Sequence, residues 1–366
     1  VSARDDARFM ALALALGARG QGRVWPNPAV GCVIVNGGRI VGRGWTAPGG
    51  RPHAEPLALA QAGAAARGAT AYVSLEPCAH HGATPPCAEA LVAAGVARVV
   101  TALEDPDPRV AGRGHAILRA AGIAVETGVL AEAARRSHRG FLLNRIEGRP
   151  AVTLKLATSF DGRIATATGE SRWITGEGAR RLVHAQRARH DAVMVGGGTA
   201  RADDPDLTVR GLGVAHQPVR VVLSRRLDLP AEGRLATTAA AVPLWLCHGP
   251  DATPDRRSHW QGLGARLIEG TIGPGGQLDP AAVLRALGAA GLTRVFCEGG
   301  GSLAAALLSA GLVDELVGFT AGLALGAEGR PALGALGLAR LAEAPRFRLI
   351  ETRAIGGDVM HRWERA

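Results

Sequence analysis

His53-Ala54-Glu55, followed by Leu75-Glu76-Pro77-Cys78-Ala79-His80-His81-Gly82-Ala83-Thr84-Pro85-Pro86-Cys87, is the stretch on which the reading of this chain turns. An imidazole and two thiolates are donors that zinc accepts in a tetrahedron. Three such ligands, His53, Cys78 and Cys87, leave one position for water, whose pKa falls to about 7 on the metal. Glu55 can stand beside that water without ligating the ion, the place for a general acid/base. Two blander readings compete. The cysteines could be ordinary buried thiols, or His80 or His81 could close the shell as a fourth ligand and make the zinc structural. A carboxylate beside three donor residues, with a proline before each cysteine, favours the catalytic reading. Pro56 is tolerated in the first turn of a helix, where its missing N–H has no partner. Cys87-Ala88-Glu89 likewise opens a helix, so ligands at two helix starts can converge at one end of a sheet.

Outward from this stretch the pattern is α/β. A first helix precedes the apolar run Ala29 to Val35, which ends at the hairpin signal Asn36-Gly37-Gly38, and Ile40 to Gly44 returns as its partner strand. Helices are expected over Glu55 to Ala66, Ala88 to Gly95 and His115 to Ala121. Strands are expected over Thr70 to Leu75, Arg98 to Leu103 and Ala124 to Glu126. Alternation starts again at Val152 and runs through strands at Val152–Ala157, Ala192–Val195, Val219–Leu223, Val242–Leu246 and Thr293–Cys297. Such alternation implies a mostly parallel sheet covered by helices. Gly148-Arg149-Pro150, after the helical Leu130 to Leu143, divides a first domain, 1–147, from a second, 148–366.

Two glycine clusters follow strands in the second half, Val195-Gly196-Gly197-Gly198-Thr199 and Cys297-Glu298-Gly299-Gly300-Gly301-Ser302-Leu303. The second opens a helix, whose N–H groups and dipole can hold a pyrophosphate. Neither matches G-x-G-x-x-G, and a plain tight turn competes. Lys155, the chain's sole lysine, lies in an otherwise apolar strand, where burial would lower its pKa. Cys32, Cys247 and Cys297 sit in or beside apolar strands and are expected to be inert.

The 366 residues carry 42 Lys+Arg against 32 Asp+Glu, a net charge of +10. The arginines are scattered and aromatics make up 4%, so a basic groove that stacks bases is not expected and a phosphorylated small substrate suits the charge better. Five sparse cysteines do not make a disulfide framework. The opening Val1-Ser2-Ala3-Arg4-Asp5-Asp6 is acidic where a leader is basic, and the apolar Phe9 to Leu16 is too short to cross a bilayer. The expectation is a cytoplasmic protein with neither nucleic-acid nor membrane partner; a homo-oligomer stays open.

Together with Trp25-Pro26-Asn27-Pro28-Ala29-Val30-Gly31, the His53 and Cys78–Cys87 motifs resemble the deaminase half of the bifunctional deaminase/reductases of riboflavin biosynthesis. Leu154 to Gly162, Gly169 to Thr175, Arg187 to Asp191 and Thr199 to Arg210 resemble the reductase half, in the same order. The resemblance implies a cytidine-deaminase-like three-layer α/β domain followed by a dihydrofolate-reductase-like domain, with Zn2+ and NADPH as cofactors. Glu55 would be catalytic, and Asn27 and His80 would hold the deaminase substrate. Ala157, Trp173, Thr199, Asp203 and the run Gly300, Gly301, Ser302, Leu303, Ala304, Ala305, Ala306 would contact NADPH. Lys155, Ser171, Arg187, Leu207, Arg210 and Glu298 would contact the reductase substrate, the two arginines suiting its phosphate. The implied substrate is a diamino-ribosylamino-pyrimidinone 5′-phosphate, deaminated and then reduced to the ribityl chain; Asp203, Glu298 and Lys155 are open candidates for protonating the ribose ring oxygen. Thr46, Ala83 and Pro56-Leu57 depart from the family pattern. Loss of a charge-assisted bond to the substrate phosphate at Ala83 would cost about 1.5–3 kcal/mol unless Arg51 or another arginine compensates. Two rivals are a nucleic-acid base deaminase with an unrelated second domain, and a reductase whose deaminase half is only a folding module.

Overall fold

In β1 (Gly31–Asn36), Cys32 and Ile34 point to one face of a sheet and Val33 and Val35 to the other, and all four are buried. A strand covered on both faces reads as an unbroken apolar run. The computed structural model describes residues 2–81 and 85–366, so Ala83 lies outside the described residues. The chain divides into two compact units, Val1–Gly148 and Arg149–Ala366.

The first unit runs α1 (Ala3–Gly17), β1, β2 (Arg39–Trp45), α2 (Ala54–Ala62), β3 (Thr70–Val73), α3 (Cys87–Ala93), β4 (Arg98–Thr101), α4 (Arg113–Ala120), β5 (Ala124–Thr127) and α5 (Ala131–Glu147). Its sheet has the order β2-β1-β3-β4-β5, with β1 antiparallel to both neighbours and β3, β4 and β5 parallel. Ala54, Ala58, Ala88, Leu91 and Leu118 from α2, α3 and α4 pack on the Cys32/Ile34 face. Phe9, Met10, Ala13 and Ala134 from α1 and α5 pack on the Val33/Val35 face. The result is three layers, helix on sheet on helix.

The second unit runs β6 (Ala151–Thr158), β7 (Arg163–Ala165), α6 (Glu177–Arg187), β8 (Ala192–Gly196), α7 (Gly197–Asp203), β9 (Val219–Leu223), α8 (Arg234–Thr237), β10 (Leu244–His248), α9 (Pro254–Gly262), β11 (Arg266–Glu269), α10 (Pro280–Ala289), β12 (Arg294–Cys297), α11 (Gly301–Ser309), β13 (Glu315–Ala321), β14 (Arg330–Pro331), β15 (Phe347–Ile355) and β16 (Asp358–Arg365). The nine-stranded sheet has the order β11-β10-β9-β8-β12-β6-β13-β16-β15. Its strands from β11 to β13 are parallel, as the alternation predicts. The antiparallel hairpin β15–β16, added at the β13 edge, is not foreseen in the sequence. After β8 the chain moves outward to β9, and after β12 it moves the other way, past β6, to β13. The crevice between the carboxyl ends of β8 and β12 is therefore a topological switch point, where open α/β sheets bind ligands.

Candidate functional sites

α2 lies so close over β2 that a Cβ on Gly44 would fall 2.2 Å from the Ala54 carbonyl oxygen. This packing fixes the helix start, with His53 at the N-cap and Glu55 in the first turn. The chain leaving β3 supplies Cys78, and Cys87 begins α3. The Cys87 backbone N–H donates to Cys78 Sγ at 3.3 Å. His53 Nδ1 stands 3.6 Å from Cys78 Sγ and 3.4 Å from Cys87 Sγ. Zinc bonds of about 2.3 Å to sulfur and 2.0–2.1 Å to nitrogen in a tetrahedron separate N from S by about 3.5 Å, so the three donors are spaced for that ion.

Burial pushes the Glu55 carboxyl up to about 7; the nearby Cys78 sulfur adds to this and His53 opposes it. The Cys78 thiol is drawn down to about 4, chiefly by its hydrogen bond with Cys87 and also by His53, while Cys87, the donor to that sulfur, is pushed up. A carboxyl poised near neutrality beside the Cys78 thiolate can both take up and release a proton.

Around this cluster lies a cavity of about 150 Å3, lined among others by Asn27, Thr46, Arg51, His53, Glu55, Cys78 and His80. Asn27 is seated against Gly50, whose φ is +85° and where a Cβ would lie 1.9 Å from Asn27 Nδ2. Thr46 is buried: the Val30 N–H donates to its Oγ1 at 3.0 Å and its hydroxyl donates to the Pro28 carbonyl at 3.0 Å. Thr46 thereby braces the backbone just after Asn27.

The loop after β4, which the sequence reading left without a role, supplies Asp105, Asp107, Arg109 and Val110 to the same cavity. Its signal was two aspartates, Asp105-Pro106-Asp107-Pro108, just beyond the carboxyl end of a strand, where α/β sheets place functional groups. Glu76 holds this loop by accepting N–H bonds from Asp105 (3.2 Å), Gly112 (3.0 Å), Gly114 (2.9 Å) and His115 (3.2 Å). Burial, reinforced by Asp107 and Glu76, raises the Asp105 carboxyl to about 6. Arg109 holds that of Asp107 down at about 2.

In the second unit the two glycine loops meet at the switch point: the Gly196 N–H donates to the Gly299 carbonyl at 2.9 Å and the Glu298 N–H to Met194 at 2.9 Å. Gly300 is the N-cap of α11 with no side-chain cap bond, and a Cβ there would lie 3.0 Å from Thr199 Oγ1. The uncapped first turn leaves N–H groups for an anion, and the missing Cβ leaves room for it.

Beside these loops Arg187, at the end of α6, grips Glu298 through Nε to Oε1 at 2.5 Å and Nη2 to Oε2 at 3.0 Å, and its Nη1 donates to the Thr208 carbonyl at 2.7 Å. Burial alone would push the Glu298 carboxyl up, but Arg187, with help from Lys155, holds it below its ordinary value. Burial lowers the Lys155 ammonium, against the attraction of Glu298. Arg210 pairs with Asp206, and its backbone N–H donates to His184 Nδ1 at 3.1 Å.

The structure separates the other carried-over positions. Leu207, at φ +55°, sits with its side chain in the core of the β8–β10 region, and Ala304 and Ala305 are buried on α11, with the Ala304 N–H donating to the Gly300 carbonyl at 3.0 Å, so none of the three presents its side chain to a ligand. Ser171, Thr199, Ala157 and Leu303 are half-buried, and Asp203, Ser302 and Ala306 are exposed. Trp173 is 67% exposed with the Arg180 guanidinium 4.5 Å from its ring centre, which is not a core tryptophan. Arg187 is buried and committed to Glu298, so Arg210 is the more accessible of the two arginines. Cys32, Cys247 and Cys297 are buried, and burial raises their thiols, the last two to about 12.

Residues 3–103 match the cytidine and deoxycytidylate deaminase zinc-binding region, and residues 150–361 the RibD C-terminal domain. Riboflavin biosynthesis protein RibD of Escherichia coli strain K12 is 42% identical over 97% of this chain and 98% of its own. That of Aquifex aeolicus is 37% identical over 97% of each. Acinetobacter baumannii RibD superposes with a TM-score of 0.88 at 40% identity over 100% of both chains. The Thermotoga maritima diaminohydroxyphosphoribosylaminopyrimidine deaminase/5-amino-6-(5-phosphoribosylamino)uracil reductase gives 0.86 at 32% identity, over 100% of this chain and 99% of its own. The two units accordingly have the cytidine-deaminase-like and reductase folds that the resemblance implies, the latter in keeping with dihydrofolate reductase. Among the described residues no helix is long and apolar enough to cross a membrane.

Proposed function

The chain belongs to the RibD family, a bifunctional deaminase and reductase of riboflavin biosynthesis, and from that premise we propose how its residues divide the two reactions. The substrate is 2,5-diamino-6-ribosylamino-4(3H)-pyrimidinone 5′-phosphate, and nucleic acid is not a partner. His53, Cys78 and Cys87 hold zinc, which when bound supplies Lewis acidity and a nucleophile at neutral pH. Glu55 takes a proton from the attacking water and returns it to the departing 2-amino nitrogen. Asn27 and His80 orient the ring. The observation that carries this reading is the 3.4 and 3.6 Å spacing of the imidazole nitrogen from the two sulfurs, with the buried Glu55 carboxyl held near neutrality beside them.

For the reductase, the uncapped start of α11 takes the pyrophosphate of NADPH, with Thr199 and Trp173 flanking the cofactor. Arg210 takes the substrate phosphate, Arg187 fixes Glu298, and Ser171 and the Leu207 backbone complete the contacts. Of the three candidate proton donors to the ribose ring oxygen, Lys155 fits best: Glu298 is clamped as a carboxylate by Arg187 and Asp203 is exposed. Hydride transfer to the anomeric carbon then needs chiefly alignment of donor and acceptor.

Metal analysis combined with a coupled assay on the purified chain tests both halves. We expect about one zinc per chain, ammonia release that needs no NADPH, and NADPH oxidation that follows deamination. Ammonia release from zinc-free protein, or NADPH oxidation by a Lys155→Met variant at the parent rate, would remove the respective assignment.

A further inference from the structure

The deaminase cavity has a closed end and a mouth of different chemistry. Glu55 is 3% exposed beside His53 and Cys78, whereas the Arg109 side chain is 59% exposed. At the mouth, Asp107 receives the Arg109 backbone N–H at 3.0 Å, Nε at 2.9 Å and Nη2 at 2.6 Å, and Arg145 Nε stands 3.7 Å from the same carboxylate. Arg145 is itself steadied by the Phe141 ring, 5.4 Å from its guanidinium carbon, and all four residues line the cavity. Two guanidiniums share this one carboxylate, and the Asp105 carboxyl is a second acid in the same cavity wall. Arg109 Nη1 points no donor at Asp107, so N–H groups remain for a further anion. The cysteine-flanked insert Ala79 to Pro86 contains neither lysine nor arginine, so a permanent cation for an anionic substrate must come from elsewhere in the cavity wall.

A pyrimidine placed with its amino-bearing carbon at Glu55 must send its ribose 5′-phosphate away from the closed end. We propose that Arg109 and Arg145, aligned by Asp107, form the phosphate-reading subsite of the deaminase cavity. This rests on the deaminase assignment made above. A near-dianionic phosphate accepts several charge-assisted hydrogen bonds, and planar guanidiniums suit it. Asp107 is then a positioning residue, preventing the two like charges from splaying apart while the site is empty of anion.

The test is a functional cycle on the zinc-loaded full chain without NADPH, so that only ammonia release is read. The parent, Arg109→Gln, Arg145→Gln and the double variant are each given the phosphorylated diaminopyrimidine and its dephosphorylated riboside. The parent is expected to favour the phosphorylated compound in kcat/KM by about ten- to a hundredfold. In the double variant that preference should collapse towards unity through KM, with the riboside rate unchanged, and Arg109→Lys should keep part of it. A preference that survives the double variant, or a parent indifferent to the phosphate, overturns the subsite while leaving the deaminase assignment in place. Equal loss on both compounds shows a structural role only and also overturns it. A zinc-loaded parent that deaminates neither compound refutes the deaminase assignment and the subsite with it.

Discussion

Replacing Arg187 by alanine should cost more than removing any exposed arginine of this chain, and the structure sets both the size and the pH dependence of that cost. The Arg187 and Glu298 side chains are each 11% exposed and joined by two hydrogen bonds. Deleting one member of a buried pair leaves an uncompensated charge and typically costs about 3–5 kcal/mol. Lys155 stays near Glu298 as a partial counter-charge, so the lower end, about 3 kcal/mol, is expected. With a urea m value of about 2–3 kcal/mol/M this moves the unfolding midpoint down by about 1–1.5 M. In the parent, Glu298 has a folded pKa below its unfolded value, so its contribution is complete above about pH 4.5 and is lost as pH falls through the folded pKa. In the variant, burial is opposed chiefly by Lys155 alone, and the folded pKa is expected to rise above the unfolded one. The penalty is then greatest at neutral pH and is relieved as acid protonates the carboxyl, so the gap to the parent narrows between pH 7.5 and 5. The assay is urea unfolding followed by tryptophan fluorescence, since Trp173, Trp245, Trp260 and Trp363 all lie in the second unit. The double variant Arg187→Met/Glu298→Leu should recover most of the stability but not NADPH-dependent turnover. A midpoint shift below about 0.3 M, or a gap that widens on acidification, would refute the account of this pair.

Four further outcomes follow from single contacts. Glu55→Gln should lower ammonia release by about 10²–10⁴-fold with zinc content unchanged, read by ammonia assay and metal analysis. Gly50→Ala would drive a methyl to within 1.9 Å of Asn27 Nδ2 at φ +85°; the deaminase KM should rise while zinc content and reductase rate hold. Gly300→Val, whose Cβ starts 3.0 Å from Thr199 Oγ1, should weaken NADPH binding by more than about tenfold by fluorescence titration, about 1.4 kcal/mol. His190 is buried neutral, bonded to the Gln186 carbonyl at 2.7 Å and Thr153 Oγ1 at 3.0 Å, with burial lowering its pKa to about 3. The unfolded chain binds a proton there from about pH 6.5 downward and the folded one does not, so stability should fall by roughly 1.4 kcal/mol per pH unit below pH 6.5, a slope that His190→Gln should flatten.

What the sequence disclosed and what it hid divide along physical lines. β1 was legible because it is covered on both faces and so carries an unbroken apolar run, and the zinc donors because their residue types are rare and tightly spaced. The hairpin β15–β16 was not. Its strands mix arginine and glutamate with apolar residues and are only partly buried, and their register depends on partners such as Glu315 with Arg362 from a distant segment. The Arg187–Glu298 pair joins residues 111 positions apart, and only the meeting of α6 with the end of β12 reveals it. Family positions also fail to distinguish backbone from side chain: Leu207, Ala304 and Ala305 read as ligand contacts, yet their side chains serve the core.

The two buried glutamates show why residue type alone leaves chemistry undecided. Glu55 and Glu298 are both withdrawn from water, and for both, burial by itself raises the pKa. The difference is in what stands beside them. Glu55 faces a sulfur that carries negative charge and a histidine whose help is partial, so its carboxyl, raised chiefly by burial, lies at about 7 and can exchange a proton. Glu298 meets a guanidinium in two-point contact and an ammonium beyond it, and it is fixed as a carboxylate. On the assignment proposed above such a fixed charge is not the acid of ribose opening, but it favours the cationic form of Lys155 against the burial that disfavours it. On the roles proposed above, the neighbours of each carboxylate, rather than the carboxylates themselves, suit one to proton transfer and the other to keeping a proton on its neighbour.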